Sequence, residues 1–249
     1  MDLVNDNAIL LAGSTGRVGS ATLATLVREG ARVVVISRDR TRAQAAIDGV
    51  VEPAQRERTL AVGADLNDPA SAAAAVTACV NAYGRIDALV NLAGSGGGRA
   101  PFAESKLDDV RFALRAFTET AYNLALPALR AMLAQPYRDG ARSRGRIVTV
   151  TAGSSKDPAP GRGPFGAAKA AVNTLMLAIA REHKADGIVA NALVLGGVGF
   201  AGAEAFYSPE DFAAAATLQE VADALTFLAS DRSSGINGAL VDLNAREID

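Results

Sequence analysis

The heptapeptide Gly13-Ser14-Thr15-Gly16-Arg17-Val18-Gly19 constrains this chain more than any other segment, because it joins an apolar run at 8–12 directly to a helical pattern at 17–29. A strand that turns at once into a helix needs backbone freedom at the turn and a close helix-to-strand approach, and three glycines supply both. The same turn leaves the amides and the positive dipole end of the helix free for an anionic group. Three glycines alone also describe a tight turn without a ligand, so the remainder of the chain must decide.

It does so first through alternation. Apolar, β-rich runs at 8–12, 32–36, 59–62, 88–91, 146–151, 188–195 and 239–243 alternate with helical patterns at 17–29, 40–48, 68–83, 104–134, 163–185 and 217–229. This order predicts an α/β fold, a Rossmann-type, doubly wound parallel sheet of about seven strands with helices on both faces. With 249 residues, 49% of them hydrophobic, a single domain over 1–249 is expected. A net charge of −2 gives no footprint for nucleic acid or an anionic membrane. The lone cysteine, Cys79, excludes an internal disulfide framework and reads as a buried thiol; no run reaches the length of a membrane span, and a cytoplasmic protein is expected. Two stretches are irregular. Residues 135–145, with Arg138, Arg142 and Arg144, read as a solvated surface loop; residues 196–211 read as a glycine-rich loop and candidate lid, with Phe200, Phe206 and Tyr207 as candidate pocket or core side chains.

The end of the second strand narrows the ligand. A dinucleotide binder that selects NAD places a carboxylate there for the ribose 2′-hydroxyl, whereas this chain has Ile36-Ser37-Arg38. A guanidinium at Arg38, helped by Arg17, pairs with a 2′-phosphate, so NADP(H) is favoured over NAD(H). Asp39 either competes for this corner or caps the next helix.

The glycine loop, Asp65-Leu66, Asn91-Leu92-Ala93-Gly94, Lys169 and the closing stretch from Phe227 to Gly238 together resemble the short-chain dehydrogenase/reductase family across essentially the whole chain. The resemblance implies that Asp65 and Leu66 meet the adenine, that Asn91, Ala93 and Gly94 line the cofactor cleft with Gly13 to Gly19, Ser37 and Arg38, and that Lys169 holds the nicotinamide ribose. It implies a small-molecule substrate, and a homodimer or homotetramer built through helices near 104–134 and 163–185 with a second contact near 238–243. The Gly-x-x-Gly-x-x-Gly spacing looks like the extended and atypical branches of the family.

The resemblance breaks at the catalytic centre. The family's tyrosine, serine and asparagine positions hold Phe165, Ala152 and Leu114, only Lys169 survives, and the usual Pro-Gly after the sixth strand reads Leu195-Gly196. Losing a positioned general acid costs about 10²–10⁴ in rate. Hydride transfer still needs only a cofactor and a well-held electrophile, which leaves three readings: an oxidoreductase reducing a carbonyl or enone with a substrate-assisted or other non-tyrosine proton source, a catalytically silent nucleotide-binding protein or assembly partner, or a non-redox isomerase, lyase or cyclase. Candidate replacements are Thr151, which as a β-branched strand residue also reads as packed, and Ser154, Ser155 and Lys156, which also read as turn formers. Tyr122 and Tyr207 are the candidate phenols. His183, alone and in a polar helix end, reads as a surface residue, and no cluster has metal-ligand spacing.

Overall fold

The computed structural model describes residues 3–94, 96–203, 212 and 215–243. Parallel strands β1 (Ala8–Ala12), β2 (Arg32–Ser37), β3 (Thr59–Gly63), β4 (Ala88–Asn91), β5 (Gly145–Ala152), β6 (Ile188–Leu195) and, after two short strands, β9 (Leu240–Leu243) form a seven-stranded sheet in the order β3-β2-β1-β4-β5-β6-β9. The strands read as nearly unbroken apolar runs because both faces are covered. Alternate residues serve opposite layers. Ile9, Leu11, Val33 and Val35 pack with α1 (Arg17–Arg28), α2 (Arg40–Val50) and the last helix, whereas Leu10, Ala12, Val34 and Ile36 pack with α3 (Pro69–Tyr83), α5 (Thr120–Ala134) and α6 (Gly163–Glu182). Cys79 is fully buried in the second layer.

Helix starts follow their caps. Asp39 accepts from Thr41 N at 2.8 Å to open α2, Asp68 opens α3, and Thr217 with Glu220 forms a capping box at α7 (Leu218–Leu228). Asp39 is therefore committed to a cap.

Two expected elements differ. The helix expected over 104–134 is divided into α4 (Leu107–Ala113), a π-helical turn over Leu114–Glu119, and α5. The stretch 135–145 is tied down as well as exposed: buried Gln135 bridges Ile86 and Arg144, while Arg138 and Arg144 donate to Asn5 and Leu133 carbonyls. In the candidate lid, β7 (Val198–Gly199) pairs with β8 (Ala216–Thr217); Phe206, Tyr207 and the rest of 204–211 lie outside the described residues.

Candidate cofactor cavity and the Lys169 site

The order of the sheet reverses between β1 and β4, and a cavity of about 630 Å³ opens at the carboxyl ends of these strands. Its floor is the glycine loop. Gly13 has φ +86°, and a Cβ there would lie 2.6 Å from the Leu92 carbonyl carbon; at Gly19 a Cβ would lie 2.1 Å from Gly13 O. These two glycines are dictated by the chain's own packing. Gly16 is different, since the nearest protein atom to an added Cβ is 3.7 Å away. Its missing side chain keeps the wall of the cavity bare at the N-terminus of α1, where no side chain caps the helix and no acidic residue occupies the first turn. That arrangement suits a bound phosphate.

One end of the cavity is basic. Arg17, Arg38 and Arg42 line it with Ser37, and Arg17 stacks 4.1 Å from the centroid of Phe200. Asp65, also on the wall, accepts from Asn67 N at 3.0 Å and Asn67 Nδ2 at 3.2 Å. Those two hydrogen bonds, backbone first, hold its carboxyl below the usual range, with help from the charges of Arg38 and Arg115. The amides of the glycine loop and three guanidiniums, groups that can hold phosphates, are thus brought together. Arg42 escaped the sequence reading, because it lies in the first turn of α2 whereas Arg38 precedes the Asp39 cap, so no helical spacing relates the two.

Of the expected cofactor residues, Gly13, Thr15, Gly16, Arg17, Val18, Gly19, Ser37, Arg38, Asp65, Leu66, Ala93 and Gly94 line the cavity. Three do not. Ser14 is fully buried with an unpartnered hydroxyl, and Asn91 is buried with its Oδ1 accepting from Ala93 N at 2.9 Å, so it shapes the turn leading to Gly94. Lys169 is the third.

The amine of Lys169 donates to Val150 O at 2.9 Å and lies 4.6 Å from the centroid of Phe117. Phe117 meets Phe165 edge to face at 5.2 Å. The Phe117 ring also sits on Gly94, where a Cβ would come within 2.3 Å of it. An aromatic pair therefore stands beside the lysine, which is 8% exposed. Burial pushes its amine down from 10.5 to about 8.

Leu114, expected at the asparagine position, is 36% exposed, and the residue against Lys169 is Phe117. Thr151 is buried and its hydroxyl lacks a partner; Ala152 ends β5. Ser155 accepts from Asn173, Lys156 pairs with Asp242, and Tyr122 is half exposed and off the cavity wall. His183 pairs with Asp186 at 2.9 Å. Beside Phe165, a small cleft of about 70 Å³ is lined by Gly97, Gly98, Asp109, Phe112 and Pro164, and Phe112 also lines the large cavity. Among the described residues no group of histidine, cysteine and acidic side chains is arranged to hold a metal, and no helix is long and apolar enough to cross a membrane.

Comparison with known proteins agrees with this architecture. The short chain dehydrogenase family model matches residues 7–210. An A-factor type gamma-butyrolactone 1′-reductase (1S-forming) of Streptomyces virginiae is 29% identical over 95% of this chain and 93% of its own length. Oxidoreductase UcpA of Escherichia coli O157:H7 is 31% identical over 96% and 93%. The crystal structure of NAD+-bound xylitol dehydrogenase superposes with a TM-score of 0.83 at 22% identity, covering 98% of this chain and 99% of that one.

Proposed function

The chain belongs to the short-chain dehydrogenase family, and from that premise we propose that it is an NADP(H)-dependent oxidoreductase reducing a carbonyl or enone with a proton source other than tyrosine. The observation that carries the cofactor choice is the trio Arg17, Arg38 and Arg42 around Ser37, with Asp39, the carboxylate next in the chain, engaged as a helix cap. The reductase named among the relatives supports the direction of reaction.

When bound, the nicotinamide supplies hydride. The protein's own part is to hold phosphates at the α1 N-terminus and Arg38, and to hold a proton at the Lys169 nitrogen, which lies against the Phe117 ring. Residue 165 offers no hydroxyl, so the proposed proton source for the developing alkoxide is the substrate itself or the Lys169 amine, which lies off the cavity wall. The small cleft beside Phe165 is the proposed seat of an apolar substrate.

NADPH is expected to bind more tightly than NADH in a fluorescence titration. Arg38→Ala is expected to weaken NADPH by about 1.5–3 kcal/mol, roughly 10- to 150-fold, with little effect on NADH. Equal losses for both nucleotides would remove the assignment. Supplying ketones, quinones and enones to the NADPH complex tests the reaction.

The silent nucleotide-binding reading is favoured by one observation, the aromatic pair beside Lys169. Binding without turnover across the panel would select it. A homodimer or homotetramer through α4, α5 and α6 is proposed as well, supported by exposed Leu107, Phe112, Leu114 and Tyr122. A light-scattering mass of one 25.4 kDa chain at micromolar concentration would count against it.

A further inference from the structure

The small cleft beside Phe165 has an apolar body and a polar rim. One wall is α4, where Asp109, Phe112 and Ala113 follow at spacings of three and four and so share one side of the helix. Pro164 and Phe165, at the start of α6, form a second wall. The loop after β4 closes a third side, held to the segment before α6 by Ala100 N, which donates to Gly161 O at 3.3 Å. In that loop a Cβ on Gly97 would lie 3.8 Å from Phe165 Cδ2, so the missing side chain leaves this edge of the ring bare to the cleft. The body of the cleft is therefore hydrocarbon and backbone. At about 70 Å³ it falls well below the roughly 300–1,000 Å³ of pockets for larger organic ligands, which limits what it seats to a compact body.

Among the described residues two polar side chains line the cleft, Ser105 and Asp109, and both present acceptors. Asp109, exposed at the rim, accepts from Lys106 N through Oδ2 at 2.8 Å, and its other oxygen takes no hydrogen bond from any described residue. Ser105 commits its one hydroxyl proton to Phe102 O at 2.7 Å, which leaves it only lone pairs to offer. No basic side chain among the described residues stands on the wall. The guanidinium of Arg162 lies 5.1 Å from the Phe165 ring centroid, and Arg162 does not line the cleft. A free carboxylate oxygen bordering an apolar space suits a hydrogen-bond donor and repels an anion.

We propose that Asp109 selects the ligand of this cleft: a compact carbonyl compound whose apolar body lies between Phe112 and Phe165 and which carries a hydroxyl or ammonium donor at the end remote from its reacting carbon. This deepens the reductase reading and rests on it for the carbonyl, whereas the preference for a donor belongs to the cleft itself. Phe112 lines both the cleft and the cofactor cavity, so a substrate held by Asp109 has its carbonyl end on the cofactor side of that ring. Asp109 sets specificity and takes no part in hydride or proton transfer. Oxo acids with a carboxylate at the remote end are disfavoured by the same charge.

The test reads binding and so is independent of turnover. Derivatives of cyclohexanol bearing an ammonium, hydroxyl, methoxy or carboxylate group on the opposite ring carbon are titrated into the full chain, with and without NADPH, and followed by NMR. The ammonium and hydroxyl derivatives are expected to bind about fivefold more tightly than the methoxy one, the equivalent of one hydrogen bond, with the carboxylate derivative weakest. Raising the salt should trim the advantage of the ammonium and leave that of the hydroxyl, which tells a charged donor from a neutral one. Asp109→Asn keeps an oxygen for Lys106 N and brings an amide donor to the rim, so the preference for donors should disappear. Equal affinity of the native protein for the hydroxyl and methoxy derivatives, or no binding of any of the four, would overturn the proposal without reliance on a variant. So would an unchanged order in Asp109→Asn. Turnover of ketones with no donor preference sinks the proposal and leaves the reductase reading standing; donor-selective binding with no turnover upholds the role of Asp109 and removes the reductase reading.

Discussion

Lys169→Met is expected to lower carbonyl reduction by about 10²–10⁴-fold while raising the stability of the fold. The two effects separate a catalytic ammonium from a structural one, because a lysine needed only for packing would lose both together. The stability gain follows from linkage. The folded-state pKa is about 8 against 10.5 for the free amine, so folding disfavours the protonated form. Below pH 8 both states carry the proton and the whole penalty is present, about 3 kcal/mol from the shift. As pH rises from 8 to 10.5 the folded amine is already neutral while the unfolded chain still binds its proton, and the penalty fades. Denaturant unfolding should therefore show the native protein gaining on the methionine variant across that window and not below it. Reduction by the native protein should decline as pH rises through about 8, as the ammonium is lost. A flat difference in stability across the window would contradict the buried-cation account.

The second large effect is structural. Gly94→Ala is expected to destabilise the protein by about 2–5 kcal/mol, because two costs coincide there. Gly94 has φ +126°, outside the conformations a side chain readily adopts, and the new methyl would meet the Phe117 ring at 2.3 Å. Phe117→Ala in the same chain should relieve the overlap with the ring and leave the backbone strain and the 2.9 Å approach to Ala116 O, so the double variant should be less destabilised than the sum of the two single changes. Additive losses in thermal unfolding would show that the ring does not rest on this glycine.

The sheet was legible in the sequence because its strands are apolar on both faces and separated by amphipathic segments; the runs at 8–12, 88–91 and 188–195 match observed strands end for end. The cofactor cavity was legible for a related reason: glycine spacing and the Ser37-Arg38 corner are local features. Arg42 and Phe112 join the wall only through the fold. The neighbourhood of Lys169 was harder to read. The family resemblance put Leu114 at the asparagine position but said nothing of the π turn over Leu114–Glu119, which brings Phe117 inwards. Asp39 could be read as either cap or ligand until its bond to the Thr41 amide was seen.

That π turn has an implication for how such a site arises. An α-helix advances about 100° per residue, and a π turn accommodates one residue more in its span. Removing one residue from Leu114–Glu119 would let α4 and α5 merge into an unbroken helix and swing everything on one side of the cut by roughly that angle relative to the other. Thr118, which donates to the Ala168 carbonyl at 3.0 Å, anchors the turn to α6. Point substitutions at 117 change what leans on the lysine but not the direction from which it comes. A deletion in this segment would therefore carry the ring away from the amine, whereas a substitution at 117 would replace what leans on it without turning the helix.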